Sequence, residues 1–164
     1  MSYFFHRNEE SAVQRFSILL FAACLSVGLL SRGLATENGD LVRSALNRAG
    51  NHRAQIEQAL EKTPETQKRG MEFIVAHMPD EDLKSLSADY LLNNLELAYK
   101  AWNEAPWKEE IPESIFLNNI LPYANINEQR DSWRAEFYGK CRRLIAGAKT
   151  PSEATGLLNQ KRFK

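Results

Sequence analysis

The chain has 164 residues, 43% of them hydrophobic and 26% charged, and its 21 basic and 21 acidic side chains cancel. This is an ordinary globular composition and excludes a low-complexity or disordered chain. The balanced charge lacks the basic excess of a nucleic-acid binder, and the small clusters Lys140/Arg142/Arg143 and Lys161/Arg162/Lys164 read as solvated helix faces or tail.

Residues 16–30, FSILLFAACLSVGLL, carry no charge; Arg15 precedes them and Arg32-Gly33-Leu34-Ala35 follows. A basic edge, a short apolar core and small residues at −3 and −1 predict a signal peptide over 1–35, cut after Ala35. The apolar core is shorter than the ~20 residues a spanning helix needs; left uncut, the segment would serve as a membrane anchor. Glu9 and Glu10 offset Arg7 and Arg15, which leaves a start further downstream open. Cys24 in FAAC makes a poor lipoprotein box, because Phe21 is unusual at its first position. The expected product is secreted or periplasmic, with one domain at 36–164. Cys141 is the one cysteine of that domain, so it has no intrachain disulfide and must stand on packing.

The domain reads as helices separated by capped, proline-marked breaks. In 40–62, Leu41, Ala45, Ala49, Ile56, Ala59 and Leu60 fall near one helical face, with an interruption at Gly50-Asn51. Thr63-Pro64 is expected to cap and start the next helix. Its apolar face is Met71, Ile74, Val75 and Met78, and Pro79 ends it. Ser87 should cap a long helix with Leu91, Leu95, Ala98 and Trp102 inward, broken at Pro106. Pro112 starts a short helix carrying Ile115, Phe116 and Ile120, and Pro122 stops it. Asn127 is expected to cap a helix with Trp133, Phe137, Cys141, Leu144 and Ile145 inward and Gly147 at its end. Thr150-Pro151-Ser152-Glu153 is a capping box before a last helix with Leu157 and Leu158. With no alternating strand pattern and no Asn-Gly hairpin, the fold class is all-α, an irregular bundle of about five to seven helices.

The usual catalytic groups are sparse. Cys141 has cations beside it, which favour a thiolate, but a nucleophile also needs a base in reach, and His52 and His77 belong to other helices. Its place in line with Phe137 and Leu144 makes it first a packed thiol. No HExxH, CxxC or EF-hand spacing is present, so no metal or cofactor is expected. Glu109, Glu110 and Glu113 stand beside Trp107; paired carboxylates with an aromatic can serve a glycosidase, but acids here also suit a solvated loop and a helix start. Trp102 and Trp133 have core spacing. Trp107 and Tyr123 stand in the breaks and, with Glu109 and Glu110, are the candidate binding residues.

The segments SADYLLNNLELAYKAW and PWKEEIPESIFLNNILPYANINEQRDSWR, flanked by GMEFIVAHMP and TPSEATGLLN, resemble the helical N-terminal region of secreted bacterial transglutaminase-like proteins. The similarity runs from about Pro64 to Lys164 and rests on several words in fixed order. It implies a helical region preceding a papain-like core that uses Cys, His and Asp for acyl transfer or peptide hydrolysis. Cys141 does not match that family's nucleophile, so no residue here is carried over as catalytic. The expectation is an exported non-catalytic helical domain, truncated or split from such a core, which would be its partner. A free-standing extracytoplasmic module binding peptide or cell-envelope glycan is the alternative, and a thiol enzyme through Cys141 a third. On the first reading 105–123 is a strap, anchored by Trp107, Phe116 and Tyr123 between the two long helices.

Overall fold

The computed structural model describes residues 38–125 and 128–162. The chain divides into two compact units, Met1–Asp40 and Leu41–Lys164. The first lies almost wholly outside the described residues, as do the apolar segment 16–30, the expected cut after Ala35 and the expected cap Asn127. The account below concerns the second unit.

The described residues are all-α, with no strand among them. The helices are α1 (38–48), α2 (Arg53–Lys62), α3 (Lys68–His77), α4 (Asp80–Leu83), α5 (Ala88–Glu104), α6 (Glu113–Ile115), α7 (Trp133–Leu144) and α8 (Pro151–Arg162). Two of these, α4 and α6, are single turns. Among the described residues no helix is long and apolar enough to cross a membrane.

The breaks fall where turn chemistry requires them. Gly50 sits at φ +56, a left-handed conformation that glycine enters without a Cβ penalty, and the 3-10 turn Gly50–His52 redirects α1 into α2. His52 Nε2–H donates to the Leu86 carbonyl at 2.7 Å. Gln55 accepts from the Ala88 amide at 2.9 Å, and the Ser87 hydroxyl accepts from Tyr90 N–H at 3.2 Å. The start of α5 is thus fixed by its own cap and by α2 together. α5 is the central element and touches α2, α3 and α7. Ala45, Ile56, Ala59, Met71, Val75, Leu91, Leu95 and Ala98 are sealed in one core.

Several expectations change. Thr63 does not cap the next helix: its buried hydroxyl donates back to the Ala59 carbonyl at 2.6 Å, and a 3-10 turn, Glu65–Gln67, intervenes before α3. The hydroxyl of a threonine at a helix end has this local alternative within reach. Leu41 and Ile115 face outward, at 41% and 48% exposure. Beyond α6 the chain forms a π turn, Phe116–Ile120, closed by Leu121 N–H donating to Phe116 O at 2.9 Å. α7 starts at Trp133, and none of its side chains is fully buried: Trp133, expected inward, is exposed, and Phe137, Cys141, Leu144 and the following Ile145 are half-buried. The TPSE box forms, with Glu153 N–H on Thr150 Oγ1 at 3.2 Å, but the Glu153 carboxylate returns to the Lys149 amide.

Candidate functional site

The strap leaves α5 at Ala105, turns at Pro106, passes a 3-10 turn at Lys108–Glu110, enters α6 at Pro112 and ends at Tyr123. Two of its aromatics anchor it. Phe116 is fully buried, stacked on Trp102 at 4.1 Å and edge-on to Tyr99 at 4.8 Å. Tyr123 is buried, and its hydroxyl donates to Asp82 Oδ2 at 2.7 Å. Burial and the adjoining carboxylate raise the Tyr123 phenol well above its ordinary pKa.

Asp82 itself is 5% exposed and is compensated by Arg130, whose Nε lies 3.0 Å from Oδ1 and whose Nη2 lies 3.0 Å from Oδ2. Arg130 also donates to the Glu128 and Asn125 carbonyls. A second arginine works on the strap's backbone. Arg134 donates through Nη2 to Pro122 O at 2.8 Å and Ile120 O at 3.1 Å, and through Nε to Asn94 Oδ1 at 2.7 Å. Asn94 in turn donates to Leu121 O at 3.1 Å, and Trp133 Nε1–H donates to Tyr123 O at 3.0 Å. Burial lowers the Arg134 pKa from its ordinary value; arginine starts so high that it remains a cation.

The four candidate binding residues are not gathered into one site. Tyr123 is spent on Asp82 and borders a small pocket of about 230 Å³ with Phe73, His77 and Pro79. Glu109 and Glu110 are exposed on their turn and line none of the clefts described here. Trp107 is half-buried and lines a groove of about 680 Å³ between the end of α5 and α7. Leu97, Ala101, Phe137, Tyr138, Cys141 and Ile145 share that groove. Its acid, Glu104, is engaged by the Tyr138 hydroxyl and by Arg142 at 3.5 Å. Neither His52 nor His77 lines it, so among the described residues the thiol of Cys141 has no imidazole there to take its proton. No group of three or more His, Cys, Asp or Glu side chains among the described residues could hold a metal ion.

A third cleft, of about 640 Å³, also borders Trp133 and lies among Asn118, Asn119, Gln129 and Asp131. Sequence reasoning missed these residues, together with Asp82, Asn94, Arg130 and Arg134. Asp82 sits in Pro79-Asp80-Glu81-Asp82, which reads simply as acids at a helix start. The available signal for Arg134 was its place in the Ser132-Trp133-Arg134 word of the resemblance.

No protein-family model, no curated protein and no solved structure matches this chain.

Proposed function

We propose that the chain is an exported, non-catalytic helical domain that holds a protein partner in the groove between α5 and α7, the partner being a transglutaminase-like catalytic core. The observation that carries this is the groove itself: Leu97, Ala101, Phe137 and Ile145 line it, and Trp107 stands half-buried at its wall. An apolar groove walled by an aromatic suits a protein segment, and a tryptophan at such a wall is the kind of residue on which binding energy concentrates. The resemblance over Pro64–Lys164 supplies the partner's class, and the segment 16–30 with Gly33 and Ala35 supplies the export.

The test is calorimetric titration of the purified chain with the catalytic core of a secreted transglutaminase-like protein. Binding weakened about 30-fold by Trp107→Ala, and unaffected by Glu61→Ala, supports the reading. No saturable binding, or equal affinity in Trp107→Ala, refutes it. Mass spectrometry of the protein recovered outside the cytoplasm should show a chain beginning near Thr36.

A further inference from the structure

We propose that the cleft lined by Trp133, Asn118, Asn119 and Gln129 is a binding site for a neutral saccharide. The proposal does not depend on the docking reading.

The first support is the backbone. Asn118 and Asn119 both lie in the π turn Phe116–Ile120, and both are exposed along the cleft. Such turns are rare and recur at functional sites. Here the extra residue in the turn places two consecutive amides at the cleft while Phe116 and Leu117 stay buried.

The second support is Trp133. Its N–H is spent inward on Tyr123 O, the Arg134 guanidinium lies 4.7 Å from its ring centre, and Phe137 meets it edge-on at 5.7 Å. The indole is therefore held in place, yet it is 36% exposed. Arg134 lies over one face of the ring, so what remains for a ligand is the exposed ring carbon rather than a donor, the kind of surface on which the C–H face of a sugar packs.

The third is the supply of hydrogen-bonding groups. Asn119, Gln129 and Asp131 line the cleft with side-chain amides and a carboxylate that make no hydrogen bond to the described residues. Asn118 spends only its Nδ2–H, on Ser114 O at 2.8 Å, and keeps its carbonyl oxygen. Planar amides that both donate and accept, beside a carboxylate that accepts, match the paired roles of sugar hydroxyls. The cation in this lining, Arg134, is committed to Asn94 and the strap carbonyls, so an anionic ligand would meet Glu128 and Asp131 without a free counter-charge. The volume, about 640 Å³, lies within the range of small-ligand clefts.

The test is calorimetry of the full chain with chitotetraose and with cellotetraose. Saturable binding of either at about millimolar affinity or tighter supports the proposal if Asn119→Ala and Gln129→Ala each weaken it about fivefold, as one lost hydrogen bond should, and Lys84→Ala does not. Both tested residues are exposed, so the variants should keep the parent melting temperature. Absence of saturable binding by both saccharides overturns the proposal, as does unchanged affinity in both variants. Competition by pentalysine at lower concentration than the saccharide would assign the cleft to a basic peptide and also overturn it.

Discussion

Tyr123→Phe should destabilise the fold at neutral pH, and the deficit should shrink in alkali. The substitution keeps the ring and removes one hydroxyl, which donates to Asp82 Oδ2 at 2.7 Å. Asp82 retains Arg130 on both oxygens, so no charge is stranded. The loss is then that of one hydrogen bond to a charged acceptor, about 2 kcal/mol. The pH dependence follows from the raised pKa of the native phenol. An unfolded tyrosine ionises near pH 10 while native Tyr123 keeps its proton, so the unfolded state binds fewer protons as pH rises. The stabilisation is therefore complete below about pH 10 and is lost above it, by about 1.4 kcal/mol at pH 11 for a phenol still protonated in the fold. Tyr90 and Tyr99, also raised by burial, add the same trend to parent and variant alike. Urea unfolding followed by circular dichroism at pH 7 and pH 11 should show the gap falling from about 2 to about 0.6 kcal/mol. An equal gap at both values would refute the buried, proton-retaining role of this hydroxyl.

Gly70→Ala should be destabilising even though alanine is the better helix former. A Cβ at Gly70 would lie 2.7 Å from Tyr99 Oη and 2.8 Å from its Cε2, and Tyr99 is pinned in turn by Phe116. Overpacking of about 1–3 kcal/mol against a gain of about 1 kcal/mol in propensity leaves a net loss of about 1 kcal/mol in urea unfolding; a stabilised variant would show that Tyr99 moves freely. Ser87→Ala removes the hydroxyl that accepts from Tyr90 N–H and should cost about 1 kcal/mol, while Ser87→Asp should not.

The helices were legible because proline, glycine and cap residues punctuate this chain clearly. Met71, Ile74, Val75 and Met78 share a buried face as their spacing requires, and Ser87 caps α5 through the bond its position predicts. Illegibility began where local signals have two outcomes. Thr63 can cap forward or bond backward, and the buried Ala59 carbonyl won. Of the three expected strap anchors, Phe116 and Tyr123 are buried while Trp107 is half-buried along the groove, and the strap's fastening was not legible. Asp82 and Arg130 are 48 residues apart, and no periodicity connects them. The same limit hid the clefts, because Asn118, Asn119 and Trp133 meet only after the π turn and the start of α7 have been set.

One physical demand ties these features together. Pro122 stops the helix, so the carbonyls of Ile120, Leu121, Pro122 and Tyr123 need donors from elsewhere. They find them in side chains of α5 and α7: Arg134 for Ile120 and Pro122, Asn94 for Leu121, and Trp133 for Tyr123. Satisfying the strap therefore commits the first turn of α7 to the backbone and turns the Trp133 N–H inward. Its ring is left to line both the apolar groove and the polar cleft. The placement of that indole is thus a consequence of how one proline-ended segment finds its hydrogen bonds.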